Sequence, residues 1–337
     1  MHGSRPAGGR DGVRILLWHV HGSWTTSFVQ GDHDYLLPVT PARDADGLGR
    51  ARTWRWPSSV VEVPHDRLRE VDVDVVVLQR PHEVELAERW TGRRPGRDVP
   101  AVYVEHNTPG GEVPHTRHPL AGQDAIPVVH VTHFNRLFWD CGTAPTDVVE
   151  HGIVDPGHLY SGDCDRAAVV VNDPVRRWRA VGTDLLPELS RTCGLDVFGM
   201  RVHQLDEALA LPPDRLRTFE DLPQDRLHRE VARRRVHVHT SRWTSLGLSL
   251  LEAMHLGLPV VALATTEAVA AVPPGAGVLT NRPDELATAV RGFLDDPDEA
   301  RRAGAAAREA ALSRYGLGRF LTDWDARLQA AVPASVR

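Results

Sequence analysis

The sequence predicts an α/β protein made of two Rossmann-like domains that face each other across a cleft. Three observations predict it. Short valine-rich apolar runs alternate with amphipathic stretches along most of the chain. The alternation pauses at Asp155-Pro156-Gly157 and the polar segment through Asp165, then restarts. At 337 residues the chain is too long for one small core and suits two domains of ordinary size. The expected division is a tail over 1–12, a first domain over 13–157, a second over 165–315 and a terminal helix over 317–331. A cleft between two such domains is the default place for a ligand.

The first half justifies itself in order. Residues 13–20 (V-R-I-L-L-W-H-V) form a strand that ends in His21-Gly22-Ser23-Trp24. A glycine just past a first strand lets backbone approach a ligand. Residues 35–39 and 60–63 read as short strands, with Trp54 and Trp56 in the polar region between them; a tryptophan there stacks on a sugar or is simply buried. The strand at 71–79 carries Asp72 and Asp74, a D-V-D triplet at its start, whereas ligands of such sheets bind past the carboxyl ends. A helix follows over 83–91. The strand at 99–104 ends in Glu105-His106-Asn107-Thr108-Pro109-Gly110-Gly111, which places His106 where a ligand contact or a loop cap would sit. A strand at 126–132 and a short one from 148 complete this half.

The second half repeats the pattern. A strand at 167–171 leads into a polar loop, 172–179, with Arg176, Arg177 and Arg179. A helix is expected over 182–193, strands at 195–199 and 216–219, and a helix over 224–234. The most informative stretch is 241–262, S-R-W-T-S-L-G-L-S-L-L-E-A-M-H-L-G-L-P-V-V-A. The strand at 236–239 runs into a polar turn, and a helix starts near Gly247 and stops at Gly257, with Pro259 following. Backbone N–H groups at such a helix start stabilise an anion. Glu252, one turn in, can accept hydrogen bonds from a diol. Helices over 284–294, 298–312 and 317–331 close the chain.

Composition narrows the function. No apolar run is long enough to span a bilayer, and a net charge of -6 argues against general nucleic-acid binding. Residues 1–12 are Gly-rich and charged and read as a disordered tail. The three cysteines are scattered and fit a reducing, cytoplasmic compartment without a zinc framework. There is no lysine: all 39 basic residues are arginine, so any fixed cationic role falls to arginine, whose planar fork suits phosphate.

With both halves laid out, the chain resembles the GT-B glycosyltransferases, specifically family 4. Residues 241–262 look like the signature E-G-F-G-L-x-x-L-E-A-M-x-x-G-x-P-V-V. Residues 169–186 are similar to the strand, loop and helix that open the family's second domain, and 148–155 to the segment that ends the first. Residues 313–328 resemble the final helix, which returns to the first domain. The resemblance implies a retaining, metal-independent glycosyltransferase that moves a hexose-type sugar from a nucleotide-sugar donor to an acceptor. The donor is a substrate, so no cofactor is implied. By position, Glu252 would hold the ribose, and the N–H groups of Ser245 and Leu246, beside Gly247, would face the diphosphate. Arg176, Arg177 or Arg179 would supply the cation, His106 would lie near the sugar, and Gly22 matches the loop after the first strand.

The sequence departs from the pattern at three places. Thr244 stands where the family has a glutamate that contacts the donor sugar. Asn172-Asp173 replaces a Gly-Arg pair, and Ala264-Thr265-Thr266 replaces a Gly-Gly turn. These departures keep a second reading open, a GT-B partner subunit without chemistry. A third, a metal-dependent hydrolase, would use His19/His21, His115/His118 and His237/His239. Strand histidines such as His237 and His239 are expected buried and hydrogen-bonded instead. The acceptor stays open between a glycan, a lipid-linked sugar and a small molecule. Arg226, Arg229, Arg233, Arg234 and Arg235 form a basic cluster, read either as a peripheral contact with the inner face of a membrane or as a solvated helix face.

Overall fold

The computed structural model describes residues 12–332, and the chain forms two compact units. The expected tail lies outside the described residues except for Gly12. The first unit holds the chain up to Glu150 and again from Phe320. Its strands are β1 (Arg14–Leu17), β2 (Asp34–Val39), β3 (Val60–Pro64), β4 (Val75–Leu78), β5 (Ala101–Glu105), β6 (Val128–His130) and β7 (Thr146–Val148). They pair in parallel in the order β3-β2-β1-β4-β5-β6-β7. Parallel strands are covered on both faces, which is why β4 reads as unbroken Val-Val-Val-Leu and is wholly buried.

The D-V-D triplet has a structural task. Asp74 accepts from the Arg14 backbone N–H at 2.7 Å, and Asp72 pairs with the Arg14 guanidinium at 2.9 Å, holding β1 to the segment that enters β4. The terminal helix Leu317–Ala331 buries Phe320, Trp324 and Leu328, spaced one helical turn apart. Trp324 meets Trp24 and Phe28 edge-on at ring-centroid distances of 5.6 and 5.1 Å. Aromatic pairs prefer such geometry, and the cluster fixes the helix Gly22–Phe28 behind the first loop.

The second unit, His151–Arg319, contains β8 (Cys164–Val170), β9 (Leu195–Gly199), β10 (Leu216–Glu220), β11 (Arg234–His239), β12 (Val260–Leu263) and β13 (Gly277–Thr280). Their order is β10-β9-β8-β11-β12-β13, again parallel. Asp196 on β9 is fully buried and bridges two arginines: Arg166 of β8 donates at 2.5 Å and Arg234 of β11 at 2.7 Å. Arg234 also reaches Glu230 at 2.7 Å and lies over the Phe198 and Phe219 rings. One carboxylate thus ties three adjacent strands together.

Some elements differ from expectation. The first unit ends before residue 157, because Ile153 N–H donates to Tyr315 O at 2.9 Å and Asp155 pairs with Arg308 at 2.8 Å, both inside the second unit. The helix expected over 182–193 is a 3-10 turn, Thr183–Leu185, followed by Leu186–Leu189. Pro187 lacks an N–H and suits only a first helical turn, so it restarts the helix. The loop expected at 172–179 contains the short helix Pro174–Arg177 and the 3-10 turn Trp178–Ala180. The helix Gly22–Phe28 left no periodic signal because all residues from Trp24 to Phe28 are buried.

His237 is buried as expected, but neither of its nitrogens has a hydrogen-bond partner among the described residues. Burial pushes its imidazole down to about 3, and those of His130 and His21 to about 3 and about 4. These groups refuse protons that the unfolded chain accepts below its ordinary histidine value near 6.5. Folding stability is therefore full above that pH and declines as pH falls toward these depressed values. Urea unfolding at stepped pH should show the decline, and His237→Leu should make it shallower. Asp196→Ala leaves two buried arginines without their shared acid and should cost about 3–5 kcal/mol in the same assay.

Candidate functional site

In both sheets the first strand lies between the second and the fourth, β1 between β2 and β4 and β8 between β9 and β11. The connections from the two central strands therefore leave in opposite directions, and a crevice opens at their carboxyl ends. In the second unit the loops there follow β8, β11 and β12.

These loops are bonded to one another. Thr240 Oγ1 donates to Val181 O at 2.7 Å, and Arg242 N–H donates to Ala180 O at 2.8 Å. The Arg242 guanidinium pairs with Asp184 at 2.6 Å, and Thr265 Oγ1 donates to Ser241 O at 2.8 Å. Gly182 needs its positive φ of 74° and its missing Cβ, which would fall 2.1 Å from Thr240 O. The helix Leu248–Leu256 starts from this scaffold with extended Gly247 as its N-cap and no side-chain cap. Its first N–H groups thus face outward from the helix start. Leu246 is buried in the core and offers only backbone, Ser245 is buried, and Thr244 is half-buried. His239, the last residue of β11, packs its ring against Gly247. Glu252 is only 8% exposed, and its carboxylate lies 3.6 Å from His228 Nε2 on the helix Gln224–Arg233.

The three arginines separate. Arg176 is exposed and pairs with Asp173 at 2.9 Å, and Arg179 is exposed and pairs with Asp184 at 3.1 Å. Arg177 is half-buried, and its guanidinium has no ion pair or hydrogen bond among the described residues. Burial, then Arg176, push its pKa below the usual arginine value, while Asp173 acts the other way. An arginine remains cationic under such pressure, so Arg177 is a charge awaiting an anion.

The first unit has its own crevice. His106 follows β5, is 8% exposed, stacks on His21 at 4.0 Å and meets the edge of Trp24 at 5.0 Å. Burial, then Arg80, push the His21 imidazole down to about 4, so it is neutral near pH 7. Gly22 opens its helix beneath Trp54, whose indole nitrogen would lie 3.4 Å from a Cβ at that position. Trp54 is half-buried, whereas Trp56 is buried and donates to Thr26 Oγ1 at 2.8 Å. Arg80 pairs with Glu83 at 2.6 Å and with Asp46 at 3.1 Å, and its Nη2 is buried without a partner among the described residues.

Several residues escaped the sequence reading: His228, His21 as a partner of His106, and His239 as a neighbour of Gly247. A histidine one residue before a polar turn was the only signal for His239. The histidine pairs behave separately: His118 Nε2 donates to the Glu105 carboxylate at 3.1 Å, and His19 Nδ1 donates to Gly49 O at 3.1 Å. Among the described residues no three His, Cys, Asp or Glu side chains are grouped as metal ligands. The basic cluster also divides. Arg234 is buried on Asp196, Arg235 donates to Gly162 O at 2.8 Å, and Arg229 and Arg233 pair with Asp225 and Asp163. Among the described residues no helix is long and apolar enough to cross a membrane.

Residues 201–310 match the sequence family described as glycosyl transferases group 1. No curated protein sequence matches the chain. Solved structures do. HepE of Anabaena, in complex with UDP-glucose, is 15% identical, with a TM-score of 0.69 over 94% of this chain and 100% of that one. Sucrose-phosphate synthase of Thermosynechococcus elongatus is 15% identical, with a TM-score of 0.67 over 94% and 98%. A glycosyltransferase from Rickettsia africae is 14% identical, with a TM-score of 0.64 over 95% and 99%. The fold is GT-B: two Rossmann-like domains.

A Cβ on Gly247 would fall 2.3 Å from His239 Cε1, although the backbone there suits any residue. Gly247→Ala must therefore displace the ring or the loop. It should lower stability by about 1–3 kcal/mol in thermal unfolding.

Proposed function

We propose that the protein is a glycosyltransferase that moves a sugar from a nucleoside-diphosphate donor to an acceptor hydroxyl. The observation that carries this reading is the second unit's crevice, where a helix start without a side-chain cap, the Arg177 guanidinium and the Glu252 carboxylate one turn into the helix lie on elements whose connecting loops are bonded to one another. The match over 201–310 covers the helix and Glu252, and it supports the same assignment. HepE, of the same fold, is described with UDP-glucose bound, which supports a hexose donor here.

In this reading the N–H groups at the start of the helix and the Arg177 guanidinium hold the diphosphate. Glu252, oriented by His228, accepts from the ribose hydroxyls. Transfer breaks the bond between the anomeric carbon and the diphosphate oxygen, and charge builds on the departing diphosphate. Preorganised donors aimed at that charge lower the barrier. Arg176 and Arg179 pair with Asp173 and Asp184, whereas Arg177 has no such pair among the described residues, so in this reading Arg177 takes the cation's role. Thr244 leaves the sugar's contact to other groups. Retention of configuration and independence from metal are carried into the proposal by resemblance alone. The first unit's crevice, with His21, His106 and Trp54, is assigned to the acceptor, because stacked rings and an aromatic face suit a sugar ring.

Calorimetric titration with UDP, GDP and ADP tests the reading. One of the three should bind, and Arg177→Ala or Glu252→Ala should weaken it about ten- to hundredfold. Absence of binding by all three would sink the assignment. Slow release of free sugar from the matching nucleotide sugar is expected as well; an intact donor after long incubation would favour a partner subunit without chemistry.

A further inference from the structure

His239 has no assigned role in the donor site as described so far. It ends β11 at the crevice, is 6% exposed, and its ring makes no hydrogen bond among the described residues. Its ring lies under Gly247, with Nε2 and Nδ1 3.0 and 3.2 Å from where a Cβ would sit, at the start of the nine-residue helix Leu248–Leu256. Neither His239 nitrogen is among the enclosed, unpartnered atoms, unlike both nitrogens of His237, so the ring keeps access to the crevice and can gain a partner when a ligand binds there. The neighbouring strand residue His237 is wholly enclosed and serves no crevice, whereas His239 meets the backbone from which the helix begins.

The charges around His239 come from few sources. Arg177 approaches from the helix Pro174–Arg177 and disfavours a second positive charge. His237, on the same strand, has its ring centroid 6.3 Å away. The helix Leu248–Leu256 contributes the Gly247 backbone, and its acid, Glu252, sits beside His228. Among the described residues, therefore, no carboxylate favours a proton on His239. An anion bound at the helix start changes this, because its charge offsets Arg177 and its oxygens accept from an imidazolium N–H.

We infer that His239 is a diphosphate contact that takes up one proton from solvent when the anionic donor binds at the start of the helix Leu248–Leu256. The inference rests on the donor-site reading above. It makes donor binding proton-linked: neutral His239 and free donor combine with one proton to give the imidazolium complex. Burial, then Arg177, hold the imidazole down to about 4 in the empty site, which leaves the proton to be gained over the range where most enzymes work. The imidazolium would then stand beside Arg177 as a second cation facing the diphosphate, in a chain that has no lysine to offer.

The test uses nucleoside diphosphate sugars (UDP-glucose, GDP-mannose and ADP-glucose), whose diester phosphates do not titrate between pH 5 and 8. Calorimetry of the full chain in two buffers of different ionisation enthalpy counts the protons taken up. In the wild type, affinity should rise as pH falls, by up to about tenfold per pH unit, with uptake approaching one proton. His239→Gln retains a donor but cannot gain a proton, so it should bind with flat pH dependence and no uptake. His239→Leu should bind more weakly than His239→Gln at every pH. Binding by the wild type without proton uptake, or uptake that persists in His239→Gln, overturns the role of His239 and leaves the donor site standing. Failure of the wild type to bind any of the three overturns the donor site and this inference with it.

Discussion

Everything functional in this chain follows from one constraint of parallel sheets. A parallel strand cannot be joined to its neighbour by a tight turn, so each connection crosses a face and all carboxyl ends collect on one edge. Where the first strand sits between the second and fourth, the connections part and leave a crevice. Both units obey this rule with the same strand order through their first six strands. In the proposed reading the helix start at Gly247, Arg177, His239 and Glu252 serve the crevice of the second, and His21, His106 and Trp54 that of the first.

The loops at the second crevice are held from below. Asp196 ties β8, β9 and β11 together through Arg166 and Arg234. Above it, Thr240, Arg242 and Thr265 bond the three loops to one another. The main electrostatic demand of binding a diphosphate is preorganised charge, and a loop free to relax would not supply it. Arg242 has a counter-ion in Asp184 and acts as a strut. Arg177 has no such counter-ion among the described residues, which is why the proposed reading gives it, and not Arg242, to the diphosphate.

The unusual composition bears on the same site. Without lysine, a compact ammonium cannot be placed beside an arginine at the phosphates. In the proposed donor site His239, which ends β11 against Gly247, would stand there instead. A fixed charge and a titratable one are then neighbours. The first crevice uses its histidines differently: His21 and His106 stack as rings, with burial keeping His21 neutral.

Much of the fold was legible in the sequence. Strands such as β4 and β5 declare themselves as apolar runs, the helix Glu83–Thr91 by its period, and Leu248–Leu256 by the glycines at either end. The two-domain architecture followed from their alternation. Elements whose residues are all buried, such as Gly22–Phe28, carry no period and were invisible. At the site, the sequence named the loop, Glu252 and a group of three arginines, because spacing along one segment suffices for that. It left undecided which arginine turns inward, since this depends on the acids Asp173 and Asp184 that capture the other two. Nor could it pair His239 with Gly247, or His228 with Glu252, because those contacts join separate elements. Local pattern determines where elements begin and end; only the packing of strands and loops decides which charges are left unpaired, and those unpaired charges are what the site offers a ligand.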